Sequence, residues 1–340
     1  MNAVLTVLQY TVAAAFLLLA ITAIVDALQH RERARTYLAL SLFCFSLVPA
    51  IGLVQTALRT RSTALTYITV LAFLGSGCGI LLFRSCFIAL SRRAAALAGG
   101  AVLVSVLLVA VFGLPPKSRL PLGAQPLVSD FLILTWVGLV GEPIVRFWLA
   151  SRDRPPVQRA RLRGLSVAFA VLIAILLVGT VAGSRLQSPE ARLVTQLIAL
   201  AMVPVLYGSL AQPGLMGRQW AVSEQGELQQ AIKDLLVFSP DRETAAARAV
   251  RWASRLVGAD AAFILDVDGR PLAQVGMPSP ALADVAAAWS RTHDADGPSL
   301  RRLLPEPAIL LALPVEDSVG LLGALPGPFT PVFGAYEVGQ

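Results

Sequence analysis

Seven stretches of about 20 or more mostly uncharged residues follow one another between Ala3 and Gln212. Each is long enough to cross a hydrocarbon core of roughly 30 Å. A segment in lipid must satisfy its own backbone polar groups, so each is expected to be a helix. The expected spans are Ala3–Leu28, Thr36–Leu58, Thr63–Leu90, Ala94–Leu114, Pro126–Ala150, Gly164–Gly183 and Ala191–Gln212. After Pro213-Gly214 the charge density rises and the pattern becomes that of a water-soluble chain. The expected architecture is therefore an all-α seven-helix membrane bundle over 1–212, a connector over 213–238 and a soluble α+β domain over 239–340. With 14% charged residues the chain lies well below the roughly 25% of ordinary soluble domains.

The net charge of +7 comes from 26 Arg and two Lys, Lys117 and Lys233, against 21 acids. Most of the arginines sit in short loops between apolar runs, and no basic face with interleaved aromatics is present. Membrane lipid, not nucleic acid, is the expected partner. The loops after the first, third and fifth runs hold ten arginines: Arg31, Arg33, Arg35, Arg92, Arg93, Arg152, Arg154, Arg159, Arg161 and Arg163. The opposite loops hold six basic residues: Arg59, Arg61, Lys117, Arg119, Arg185 and Arg192. The positive-inside rule puts the ten-charge side in the cytoplasm. An odd number of crossings of the plasma (inner) membrane then leaves the N-terminus outside and the C-terminal domain inside, with Arg218 in agreement. The N-terminus has no basic region and no cleavage site, so the first run reads as a retained helix.

Ionisable residues within apolar spans are functional candidates by default. Glu142 and Arg146 lie four apart on the fifth run, with Glu first, the favourable order on a helix. Arg84 lies on the third run, seven residues before Ser91, while Glu142 is nine before Ser151, which puts both at similar depth. Two readings stay open. Arg84 and Glu142 form a charge-assisted pair inside the bundle beside Pro143, a polar spot able to change state, or Arg146 and Arg84 snorkel to the cytoplasmic headgroups.

Several chemistries lack their residues. Cys44, Cys78 and Cys86 lie inside apolar runs without a Cys-x-x-Cys pair. The two histidines are His30 in a loop and His293 in the polar part, too few for haem or zinc. Gly75-Ser76-Gly77 offers a serine but no base to activate it, so it reads as helix packing. Neither lysine lies in a span, which excludes a retinal Schiff base. The chain is expected to be no enzyme and to hold no cofactor or metal. The competing class is a transporter or channel with a regulatory domain, although no internal repeat is visible.

From Gln219 to Phe238, Leu228, Ile232, Leu235 and Leu236 recur at helical spacing among polar residues. This amphipathic connector fits either a short coiled coil between two copies, giving a homodimer, or a first helix packed on the domain that follows.

The polar part reads as a helix over Asp241–Gly258, a strand over Ala261–Val267, a turn at Asp268-Gly269 and a strand over Arg270–Val275. A helix over Pro280–Arg291 follows, then strands over Ile309–Val315 and Val319–Leu325 and the start of a last helix at Val332. The run GADAAFILDVDGRPLAQVG resembles the opening hairpin of GAF domains. The run LPVEDSVGLLGALPGPFTPVFGAYEVGQ resembles their closing strands and last helix. The resemblance covers about Leu228 to Gln340 and implies an antiparallel sheet with packed helices. The family's bilin cysteine and cyclic-nucleotide signature are not matched by this segment, and His293, the histidine available to a haem-type domain, lies in a polar loop, so the resemblance implies dimerisation and relay more than ligand binding. GAF domains behind multi-span regions resemble the input halves of bacterial sensor proteins, whose outputs are histidine kinases or diguanylate cyclases. No output sequence is present, and the last helix, with Phe333, Tyr336 and Val338, reads as truncated. The expectation is a truncated or separately encoded input part of a signalling protein.

Overall fold

The structure is a computed structural model. It describes residues 2–58, 62–114, 121, 125–152, 154–182, 188–210, 233, 241–295, 297–304, 308–315, 318–327 and 329. The chain divides into two compact units, one of residues 1–150 and 162–211, the other of 151–161 and 212–340.

The first unit consists of seven helices: α1 (Asn2–His30), α2 (Arg33–Ala57), α3 (Thr63–Ser85), α4 (Arg92–Phe112), α5 (Gln125–Ala150), α6 (Pro156–Ala182) and α7 (Pro189–Leu210). The first turns of α6 cluster with the second unit. All seven helices are long and apolar enough to cross a membrane. Large apolar side chains such as Leu18, Leu97, Leu103 and Val181 stand exposed on them. Apolar surface on that scale would be an aggregation hazard in water and is normal against lipid.

Small residues set the helix contacts. A Cβ at Gly79 would lie 2.9 Å from the backbone of Ser41, so α2 and α3 approach there as only a glycine permits. Ser76 serves the same contact. Its carbonyl accepts from the Ser41 hydroxyl at 2.6 Å, and its hydroxyl accepts from Trp136 Nε1 on α5 at 2.9 Å. Trp136 is fully buried, with Phe73 stacked on it at 5.1 Å. The Gly75-Ser76-Gly77 segment thus sits at a packed junction of α2, α3 and α5.

Two span boundaries differ from expectation. Helix α3 ends at Ser85 rather than Leu90, because the Cys86–Ile88 amides turn back onto the Phe83 and Arg84 carbonyls. Helix α6 starts at Pro156 rather than Gly164. Proline is preorganised for a first helical turn, and arginine is a good helix former, so Arg159, Arg161 and Arg163 belong to the helix and not to a loop.

In the second unit, α8 (Arg242–Val257) precedes β1 (Ala259–Leu265) and β2 (Pro271–Val275). Then come α9 (Ser279–Thr292), the short α10 (Pro298–Arg301), β3 (Ile309–Val315) and β4 (Ser318–Pro326). The sheet is antiparallel in the order β2-β1-β4-β3. Helix α8 is framed by its sequence. Asp241 caps it by accepting from the Thr244 amide at 2.6 Å, and Gly258 closes it at φ 67°, a left-handed conformation that suits glycine.

Strand β1 is central and alternates with period two. Ala261, Phe263 and Leu265 face a core with Val285, Trp289 and Leu300. Ala262 and Ile264 face the other core, with Ala246 and Val250 of α8. The sheet is therefore covered by α8 on one side and by α9 and α10 on the other. Opposite Phe263 in the ladder stands Gly323, whose missing side chain leaves room for the ring. Trp289 is fully buried and donates to the Asp266 carbonyl at 3.2 Å.

Candidate functional site

Arg84, Glu142 and Arg146 come together at one end of the first unit. Arg84 ends α3 and is buried, its side chain 4% exposed. Its Nη1 donates to the Ile88 carbonyl at 3.0 Å, securing the turn that follows the helix, where carbonyls lose their helical partners. Its Nη2 donates to Glu142 Oε1 at 3.0 Å. Arg146, one turn beyond Glu142 on α5, donates from Nε to the same oxygen at 3.2 Å. Arg146 is more than half exposed, as a snorkelling side chain would be, while keeping its contact with the carboxylate. The three side chains thus form one cluster around Glu142 Oε1. Phe83, Phe87 and Phe147 meet edge to face beside it, with ring centroids 5.0 to 6.2 Å apart.

The cluster carries one positive charge in excess and is incompletely satisfied. Arg84 Nε and Glu142 Oε2 are both buried with no hydrogen-bond partner among the described residues. A carboxylate can accept about four hydrogen bonds, and here both donors share Oε1. Pro143 follows directly and has no N–H, so the Leu139 carbonyl has no donor from the residue four places on. Removing Glu142 would leave the buried Arg84 charge without its counter-ion, a loss that typically costs about 3–5 kcal/mol for a fully buried pair. The pair is therefore a sensitive element.

A second ionic cluster, at the α1–α2 turn, was not anticipated. Arg35 Nη1 donates to both Asp26 oxygens at 2.7 and 2.8 Å, and Nε donates to Glu32 at 2.9 Å. The signal was present in the sequence: an acid near the end of an apolar run, nine residues before an arginine across a short turn. Its geometry ties two helix ends together. Inside the bundle, Ser105 donates to Thr135 at 3.0 Å and links α4 to α5.

In the second unit, residues 151–161 lie against the sheet. Arg154 donates to Asp260 at 3.0 Å and stands over the Phe329 ring at 5.0 Å. Gln158 is fully buried near Gly258. No sequence pattern announces this contact, since its partners are about a hundred positions apart. His293, expected in a polar loop, ends α9 in a left-handed conformation and donates from Nε2 to the Val267 carbonyl at 2.9 Å. Among the described residues no group of acids, histidines and cysteines could hold a metal. The connector positions Leu228, Ile232 and Leu235, and the last helix expected from Val332, lie outside the described residues.

Fold and composition together define a class: a multi-pass membrane protein with seven long apolar helices and a small α+β region behind them. Comparison with known protein families, with curated proteins and with solved structures gives no significant match.

Proposed function

We propose that this chain is a membrane-embedded signal-input protein. In this reading the bundle takes up a stimulus in or at the membrane and passes a two-state shift to the C-terminal region. That region is a GAF-like domain in the cytoplasm, and it hands the shift to an output of the histidine kinase or diguanylate cyclase kind carried outside these residues. The connector helix and the GAF-like domain hold two copies together as a homodimer. The orientation rests on the ten arginines at the junctions after the first, third and fifth spans, in turns or in the first turns of the helices that follow. The GAF-like reading is supported by the opening hairpin β1–β2 lying beside the closing hairpin β3–β4.

The observation that carries the proposal is the buried Arg84 paired with a half-buried, under-satisfied Glu142 in helices otherwise poor in charge. A stimulus can move a two-state element only through differential affinity for its states. Moving it from 1:99 to 99:1 takes about 5.5 kcal/mol, which is comparable with the cost of breaking such a pair.

Hydrogen exchange of the full chain in lipid nanodiscs tests the relay. Glu142→Gln is expected to change protection in β1, β4 and α8, and Arg146→Gln, which leaves the buried pair in place, is expected to change it less. Unchanged protection of the second unit in a folded Glu142→Gln protein would refute the relay. Substrate flux in proteoliposomes would replace it with the transporter reading.

A further inference from the structure

Glu142 also lines a cleft of about 260 Å³ between α4 and α5. Small side chains make the room: Ala94, Ala98 and Ala101 on one wall, Gly138 on the other, with Leu139 beside Glu142. A Cβ at Gly138 would meet nothing within 4 Å. The cleft has space for roughly nine groups of water size, taking about 30 Å³ for each. From Leu134 to Glu142 it follows α5 for about 12 Å, at about 1.5 Å per residue. The walls are mostly apolar; Thr135 lies midway with its hydroxyl engaged by Ser105, and the charged end lies at Glu142.

The polar end offers acceptors. Glu142 Oε2 has no partner among the described residues. The Leu139 carbonyl, a turn earlier, has lost its helical donor to Pro143. The last torsion of a glutamate is broad, so turning the carboxylate brings Oε2 to the cleft and loosens Oε1 from its two arginines. The head that fits must therefore donate a hydrogen bond. It must also be neutral: the cluster already has an excess positive charge that opposes a cationic head, and an anionic head would face the carboxylate itself.

We infer that the α4–α5 cleft binds a neutral amphiphile from the lipid phase, with a short apolar body along Ala94–Ala101 and Gly138 and a hydroxyl head that donates to Glu142. Such a ligand supplies the hydrogen bond that Oε2 lacks and biases the Arg84–Glu142–Arg146 cluster toward the state that holds it. This inference rests on the proposed input function and names the chemistry of its stimulus.

The test is photolabelling of the full chain in nanodiscs with a diazirine-bearing octanol, the labelled residues being mapped by mass spectrometry. The expected result is saturable labelling of α4 and α5 around Ala98 and Gly138, competed by unlabelled octanol. The methyl ether of the same probe should label about tenfold less or weaker still, the size expected of a hydrogen bond to a charged group. Gly138→Leu should abolish labelling and Gly138→Ala should keep it, with thermal unfolding confirming that both variants fold. Equal labelling by alcohol and ether would mean that any chain fills the groove, and it would overturn the inference. So would the lack of saturable labelling in the parent protein. If labelling fails while Glu142→Gln still alters exchange in the second unit, the ligand class is wrong and the relay stands. If that exchange is unmoved, the relay is wrong whatever the labelling shows.

Discussion

Glu142 shows how much chemistry one residue can concentrate in a chain of this kind. It shares one oxygen between two arginines and leaves the other buried without a partner among the described residues. The sequence offered the pairing as one of two open readings, because helical spacing and depth from the loops are simple arithmetic. The division of labour between the arginines was not legible, since it depends on α3 ending at Ser85 and on Arg84 folding back to Ile88. The account expects Arg84→Gln, which loses the bonds to Glu142 and to the Ile88 carbonyl while Glu142 keeps Arg146, to destabilise the bundle by about 1–3 kcal/mol, and Arg146→Gln by less than about 1 kcal/mol, as for an exposed pair. Thermal unfolding in detergent measures both. Gly323 is a second such residue. Its place under the Phe263 ring followed from no turn or spacing rule, because it arises from strands whose pairing is set by the whole sheet. Gly323→Val should cost about 1–3 kcal/mol through overpacking, read as an earlier unfolding of the second unit.

Elements were the most legible level, for a physical reason. Seven apolar runs must be helices in lipid, and strands β1 to β4 are short apolar runs bounded by turn residues. The misplaced ends of α3 and α6 were decided by short-range competition: a carbonyl-capping turn in one case and a proline-initiated helix in the other. The short α10 lies between the expected helix ending at Arg291 and the expected strand starting at Ile309, where no element was expected. Helix α8 makes a pH prediction. Hydrogen bonds from the Thr244 amide and hydroxyl hold the Asp241 carboxyl below its ordinary range. A lowered folded-state pKa stabilises above the unfolded value of about 3.9 and is lost as pH falls through the folded one. The first turn of α8 should therefore loosen only in acid. Asp241→Asn, which still caps, should remove that dependence, and a carboxyl chemical-shift titration should place Asp241 below the usual carboxylates.

At the scale of the molecule, loop arginines and the count of spans argue for one orientation, and the division near residue 212 was visible as a change in charge density. Invisible in sequence was the grouping of residues 151–161 with the C-terminal region, through Arg154, Asp260 and the buried Gln158. That contact joins residues about a hundred positions apart and leaves no periodic trace. Reversing both charges, Arg154→Asp with Asp260→Arg, should recover stability that either reversal alone loses, as a double-mutant cycle would show. The whole account requires seven crossings with the C-terminal region inside the cell. The most direct measurement is labelling by a membrane-impermeant maleimide of Asp268→Cys, an exposed turn position, in a background where Cys44, Cys78 and Cys86 are replaced. Labelling only after permeabilisation is the predicted result; labelling of intact cells would contradict it.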